Sequence, residues 1–319
     1  MEPFKIRTDL AVEINEEASK ETGKIKGIIV NEHREDKLGI LVTEIKITNK
    51  EGERILGREK GCYITVEADC ISFDDEKYQL KTAEILTGFI KQLMDEADNK
   101  QPKRILVVGL GNREVTSDSL GPLVVDHLEI SHEPAKEDEL YISAVSPGVL
   151  AQTGMETANI IKGIVGETKP DLVIAIDALA ARNSRRLNST IQLSDRGINP
   201  GSGVGNHRTG LTKSVIGVPV LAIGVPTVID APTIVSDSME NLMAAVSSSE
   251  RLMYMSDLFE GFNREEKYHL IKEVMPDDMA DMYVTPKNID ANVCNIAFVL
   301  ARAINNLNHQ TESGDKANM

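Results

Sequence analysis

The stretch ILVVGLGNREVTSDSLG, residues 105–121, joins an apolar run to a glycine-rich turn and an aspartate, Asp118. A short, continuous apolar run that ends in glycine is typical of a strand buried on both faces of a parallel sheet. We therefore predict a strand over residues 105–108 and a helix over residues 120–129. A strand, a turn and a helix in this order indicate an α/β protein.

Similar runs recur along the chain. The apolar runs over residues 141–145, 172–176 and 218–223 meet glycine, proline or aspartate at their C-terminal ends. Residues 74–99, 156–166, 237–259 and 289–304 are predicted to be helices, the first of them from its helical spacing of apolar residues. This alternation predicts an α/β fold with a doubly wound, mostly parallel sheet flanked by helices.

Residues 26–70 have a different pattern. Their apolar residues tend to alternate with polar ones, and residues 49–52 read as a turn. The pattern predicts a small strand-rich section near the N-terminus. It precedes the alternating core, which we place over residues 103–310.

Composition excludes several functional classes. The chain has 50 acidic and 35 basic residues and a net charge of -15, so we expect no direct binding to nucleic acid. The longest apolar stretch, residues 215–226, is interrupted by glycine and proline and is shorter than the ~20 residues of a membrane helix, so no membrane association is expected. Cys62, Cys70 and Cys294 form no CxxC pair, which indicates a reducing, cytoplasmic compartment.

Two aspartates are the candidate catalytic residues. Asp118 stands before the helix that follows the first apolar run, and Asp177 directly follows the run at 172–176. In open α/β sheets, functional residues gather beyond the carboxyl ends of the strands, so both side chains are expected at one crevice. The alternatives are structural: Asp118 is equally well placed to cap its helix, and Asp177 to cap a loop.

Two glycine-rich loops are candidates for binding the substrate or supporting the site. Gly109, Gly111 and Asn112 precede Asp118, and Gly201, Gly203 and Gly205 lie in a second loop. Their exposed backbone amides are suited to binding an extended peptide or an oxyanion, or they belong to loops that only need to bend sharply.

Other chemistries lack their motifs. Glu114 replaces the third glycine of a dinucleotide-binding fingerprint, and the sequence has no HExxH, GxSxG or P-loop motif. His207 lies beside the second glycine loop, and we interpret it as a surface residue rather than a metal ligand. No cofactor and no metal are expected.

Several unusual strings occur together and in order. They are RTDLAVE at 7–13, VGLGN at 108–112, LGP at 120–122 after Asp118, IDALAAR at 176–182, PGSGVGN at 200–206 and IGVPTV at 223–228. In these strings the chain resembles the germination proteases of spore-forming bacteria. The resemblance extends from the N-terminus to at least Pro232.

The resemblance implies an endopeptidase that degrades small acid-soluble spore proteins during germination, in the cytoplasm of the forespore and the spore core. It further implies an inactive precursor that forms homotetramers and removes a propeptide, residues 1–9, by cutting itself between Asp9 and Leu10. Residues 10–319 then form a single α/β peptidase domain. Asp118 and Asp177 correspond to the family's atypical aspartic dyad, which needs no metal.

Two alternative functions stay open at this point. The first is a metal-dependent maturation endopeptidase of the hydrogenase type, with the two aspartates and a histidine such as His207 as ligands. The second is a non-catalytic α/β binding module, which applies if both aspartates only cap local structure.

Overall fold

The structure is a computed structural model that describes residues 8–23, 25–98, 102–131, 140–199, 201, 209–247, 266, 270–271 and 273–309. The strands are β1 (Ile28–Glu35), β2 (Ile40–Ile47), β3 (Gly61–Glu67), β4 (Arg104–Gly109), β5 (Tyr141–Val145), β6 (Leu172–Ala181), β7 (Thr190–Ser194), β8 (Val220–Asp230) and β9 (Tyr283–Val284). The helices are α1 (Ala11–Thr22), α2 (Lys50–Leu56), α3 (Glu76–Asp98), α4 (Leu120–Asp126), α5 (Leu150–Thr153), α6 (Thr157–Thr168), α7 (Lys213–Ile216), α8 (Ala231–Ser247), α9 (Asp277–Ala280) and α10 (Ile289–His309).

The strands form one mixed sheet in the order β1-β2-β3-β7-β8-β6-β4-β5, and β9 pairs with β8. Strands β5, β4, β6 and β8 are parallel neighbours, and they include most residues of the four apolar runs predicted as strands. The predicted α/β fold, with helices flanking a sheet that has a parallel core, is confirmed. The strand-rich section is not separate from this core, because β3 pairs with β7 and β7 pairs with β8, both antiparallel.

Helices cover the faces of the sheet. Apolar residues of α3, α4 and α10 form one continuous core with the sheet residues beneath them, while α6 and α7 pack against the other face of the parallel strands. Burying one large apolar side chain contributes about 1.5–3 kcal/mol, so these cores hold the parallel strands firmly in register. Within the part of the chain that the structure describes, no helix has both the length and the hydropathy needed to cross a membrane.

The strand that carries Asp177 is longer than predicted. Strand β6 continues from the apolar run to Ala181, because β8 pairs alongside it from Val173 to Ala181. Asp177 therefore lies within a strand and does not follow its end, which corrects the prediction. Strand β4 stops at Gly109, opposite Ile176, so Asp177 is the first β6 residue beyond the end of the neighbouring strand.

Other boundaries also differ. The predicted turn at residues 49–52 begins α2, because the side chain of Asn49 caps it by accepting from Gly52 N at 2.9 Å. The helix after Asp118 ends at Asp126, and the predicted helix at 237–259 begins earlier, at Ala231. Residues 248–259 of that prediction lie outside the described residues.

Candidate active site

The two candidate aspartates line one cavity of about 380 Å³ that lies beyond the carboxyl end of β4 and beside the C-terminal half of β6. Asp118 is half-buried and Asp177 is buried, with 4% of its surface exposed. Gly111 and Gly201 also line this cavity. The cavity thus lies at the carboxyl end of β4 only, and it brings together side chains that are far apart in sequence.

A backbone amide of the glycine-rich loop binds the Asp118 carboxylate. Asp118 ends a 3-10 turn, Thr116–Asp118, and its Oδ2 accepts a hydrogen bond of 2.8 Å from the backbone N–H of Asn112. Ser119, not Asp118, occupies the cap position of α4, so the capping alternative does not apply to Asp118. The Asn112 side chain is itself fixed, because its Oδ1 accepts from Gln152 Nε2 at 2.8 Å.

Glycines in this loop permit close packing of the backbone. A Cβ on Gly111, which has φ of +111°, would lie 2.0 Å from the carbonyl oxygen of Asp118. A Cβ on Gly109 would lie 2.3 Å from the carbonyl oxygen of Gly121 in α4. Both contacts are too short for any side chain, so these two glycines support the loop by allowing the turn and α4 to approach β4.

Asp177 lies opposite a glycine of the next strand. Its partner in β8 is Gly224, and its Oδ1 accepts from the backbone N–H of Ala178 at 3.0 Å. A Cβ on Gly224 would lie 2.4 Å from Leu179 Cδ1. Glycine at this position leaves room for the Leu179 side chain, two residues along β6 from Asp177.

Thr227 is a supporting residue that our sequence reasoning missed. Its hydroxyl donates a hydrogen bond of 2.6 Å to the carbonyl of Ser117, in the turn that carries Asp118. Thr227 is fully buried in β8 at the point where the pairing of β6 and β8 shifts register, and its own carbonyl accepts from Thr285 Oγ1 at 2.8 Å. The only sequence signal was its place in IGVPTV, which gave no hint of its partner 110 residues away.

Replacing Thr227 with valine, which has nearly the same shape, tests this support. We expect Thr227→Val to lose about 1–3 kcal/mol of stability, since it leaves the Ser117 carbonyl without its donor. We also expect roughly tenfold slower peptide cleavage, because the turn carrying Asp118 loses its tether. Urea unfolding and a cleavage assay measure the two effects.

Thr190→Val is the matched control. Thr190 is also fully buried, but its hydroxyl has no hydrogen-bond partner among the described residues. We expect this variant to be neutral or slightly stabilising and to cleave at the normal rate. Equal rates for Thr227→Val and Thr190→Val would contradict the supporting role of Thr227.

The N-terminal segment reaches the same cavity. Asp9 is buried and lines the cavity together with Asp118 and Asp177. Its backbone N–H donates to the carbonyl of Ala180 at 3.1 Å, and its Oδ2 accepts from the N–H of Ala180 at 3.0 Å. Leu10 is fully buried and packs against Leu179 in the core between α1 and the sheet.

Glu13 links the residue before Asp9 to the end of β6. Its buried carboxylate accepts hydrogen bonds from the hydroxyl of Thr8 and from the backbone N–H groups of Arg182 and Asn183, at 2.8 and 2.9 Å for the two amides. Burial raises the pKa of Glu13, and these hydrogen bonds oppose the rise. The segment that contains Asp9 and Leu10 is therefore anchored on both sides.

The remaining predicted positions are only partly described. Gly203, Gly205 and His207 lie outside the described residues. No group of three or more histidine, cysteine, aspartate or glutamate side chains within the described ranges is placed to bind a metal ion. Burial raises the pKa of the Cys62 thiol to about 12, which keeps this cysteine protonated and unsuited to act as a nucleophile.

Comparison with known proteins identifies the family of the chain. A model of a family described as germination protease matches residues 6–252. The chain is 46% identical over 311 residues to the germination protease of Caldanaerobacter subterraneus subsp. tengcongensis, covering 94% of this chain and 93% of that one. It is 38% identical over 352 residues to the germination protease of Bacillus subtilis, covering 97% and 95%.

Among solved structures, a [NiFe] hydrogenase maturation protease from Thermococcus kodakarensis is similar with a TM-score of 0.30 and 22% identity, over 44% of this chain and 80% of that chain. The family match and the relatives above cover most of the chain, and they agree with the resemblance seen in the sequence motifs. The chain belongs to the germination protease family and is a peptidase.

Proposed function

We propose that this peptidase is the precursor of an endopeptidase that first removes its own residues 1–9 and then degrades small acid-soluble spore proteins during germination. The observation that carries the proposal is that Asp9, Asp118 and Asp177 line a single cavity. Asp9, whose bond to Leu10 is the one proposed for self-cleavage, thus lines the same cavity as the two carboxylates proposed to cleave it.

Hydrolysis of a peptide bond needs a base that activates water and an acid that protonates the leaving amine. Two neighbouring carboxylates supply both, because repulsion between them favours a state in which they share one proton. In the proposed step, the ionised carboxylate takes a proton from a water molecule. The oxygen of that water attacks the Asp9 carbonyl carbon at the same time. The C–N bond to Leu10 then breaks, and the protonated carboxyl gives its proton to the leaving nitrogen. Asp118 and Asp177 would titrate as a pair rather than as two separate groups.

The surroundings of the two aspartates suit this role. The Asn112 amide and the turn tethered by Thr227 fix the position of Asp118. We propose that Gly109, Gly111 and Asn112 support this loop, and that the loop with Gly201, Gly203 and Gly205 offers backbone amides to the bound peptide. No metal and no cofactor take part in the proposed reaction.

The proposal also covers the oligomeric state of the peptidase and the compartment in which it acts. We expect a homotetramer that acts in the cytoplasm of the forespore and the spore core, and these expectations rest on the family resemblance alone. The net charge of -15 disfavours direct binding to DNA, in keeping with a protein substrate. The partners are therefore other copies of this chain and its protein substrates, with no direct nucleic acid and no membrane.

Mass spectrometry of the purified full chain tests the function. We expect incubation to remove residues 1–9, to leave Leu10 as the new N-terminus, and to yield a form that cuts a purified small acid-soluble spore protein. Exhaustive chelation should leave both reactions unchanged. Loss of cleavage on chelation, with recovery on adding a divalent metal, would favour the metal-dependent alternative instead. A chain that cuts neither itself nor the spore protein would contradict the proposed function.

A further inference from the structure

Gln192 holds the backbone on both sides of Leu10. This residue of β7 lies next to β8, with Gly224 as its paired residue. Its Nε2 donates a hydrogen bond of 3.0 Å to the carbonyl oxygen of Asp9, and its Oε1 accepts one of 2.6 Å from the N–H of Ala11. The Asp9 carbonyl oxygen belongs to the peptide bond between Asp9 and Leu10.

Neighbouring contacts also hold the segment by its backbone. Arg58 Nη2 donates to the carbonyl of Thr8 at 3.3 Å, and the Ala180 carbonyl accepts from the N–H of Asp9 at 3.1 Å. Leu10 is extended, with φ of −86° and ψ of 120°. An extended peptide gripped through its backbone is a general way of binding substrates, because such contacts do not depend on the side chains of the peptide.

We propose that Gln192 is a catalytic residue that holds the carbonyl of the bond to be cut and stabilises the negative charge that forms on its oxygen. The inference rests on the proposed function, since it takes the bond between Asp9 and Leu10 as the bond that is cleaved. When water adds to the carbonyl carbon, the oxygen becomes an oxyanion, and an N–H already directed at it strengthens its hydrogen bond. The same side chain would grip the backbone of a spore-protein substrate at the equivalent carbonyl and N–H groups.

A structural role is the competing explanation. The N–H of Ala11 is among the first donors of α1, which lack partners within the helix, and the Leu10 side chain cannot cap them. Gln192 Oε1 therefore also acts as a cap for α1. The two roles use opposite ends of one amide, so variants can separate them.

Gln192→Glu and Gln192→Leu separate the two roles. Glutamate keeps an acceptor for Ala11 but loses the N–H directed at Asp9, whereas leucine loses both. We expect either variant of the full chain to cleave after Asp9 about 100-fold more slowly, measured by the appearance of Leu10 as N-terminus in mass spectra. Gln192→Glu should stay folded with a somewhat lower melting temperature, because the Asp9 carbonyl loses its donor, and it should keep the protection of the Ala11 amide from hydrogen exchange.

Gln92→Leu is the matched control. Gln92 is a half-buried glutamine of α3 whose amide contacts Glu44, away from the cavity, and this variant should cleave at the normal rate. Normal cleavage by Gln192→Glu, in a preparation where the unaltered chain cuts itself, would overturn the catalytic role and leave the proposed function standing. No cleavage by the unaltered chain would overturn the proposed function and this inference with it.

Discussion

Asp118→Asn and Asp177→Asn should each slow the removal of residues 1–9 by about 1,000-fold or more, and should slow the cutting of a spore protein equally. An amide neither takes a proton from water nor gives one to the leaving amine, so either change disables the pair. The fold should persist in Asp118→Asn, because the new side-chain amide oxygen can still accept from the N–H of Asn112, as the Asp118 carboxylate does at 2.8 Å. Intact-mass measurements over time give the rates, and thermal unfolding checks the fold.

The control for these variants is an aspartate in the same region that lies outside the cavity. Asp126 is at the end of α4, where its exposed carboxylate pairs with Arg113. An exposed ion pair of this kind contributes about 0–1 kcal/mol, so Asp126→Asn should process and cleave normally. Normal processing by Asp118→Asn or Asp177→Asn would show that the altered residue is not part of a catalytic pair.

Gly111→Ala is expected to have the second-largest effect. The new Cβ would meet the Asp118 carbonyl oxygen at 2.0 Å, and the backbone has φ of +111°, where alanine is strained. Overpacking and backbone strain each cost about 1–3 kcal/mol, so we expect a total loss of about 2–6 kcal/mol in urea unfolding. The turn must also move, and a shift of about 1 Å at a reacting group can slow catalysis roughly 100-fold.

Gly217→Ala separates these two contributions. Gly217 ends α7 with φ of +87°, and nothing lies within 4 Å of its Cβ position, so the substitution introduces strain without a clash. We expect a loss of about 1 kcal/mol and a normal rate of cleavage. If Gly111→Ala were no worse than Gly217→Ala in stability and rate, the close approach of Gly111 to Asp118 would be unimportant.

The elements predicted well are those that local sequence determines. Strand β5 has the predicted bounds, and α3 and α10 begin within two residues of the predicted starts. Each is a strand with a continuous apolar run or a helix with a long apolar stripe, and such patterns need no knowledge of distant partners. The glycine-rich loop was identified for the same reason, because its residues are consecutive.

The features that were missed depend on contacts between distant segments. Strand β6 extends past its apolar run because β8 pairs with it, and a sequence pattern does not give the length of such a partner. Thr227 and Gln192 act on Ser117 and Asp9, which are 110 and 183 residues away in sequence. Their roles became visible only when the fold placed these pairs within hydrogen-bonding distance.

The most direct test of a catalytic aspartate pair is the solvent between the two carboxylates in a crystal structure of the processed chain. The proposed mechanism predicts one water molecule within about 2.6–3.2 Å of an oxygen of Asp118 and an oxygen of Asp177. A metal ion held at about 2.0–2.2 Å by both carboxylates, or no solvent molecule in contact with both, would contradict it.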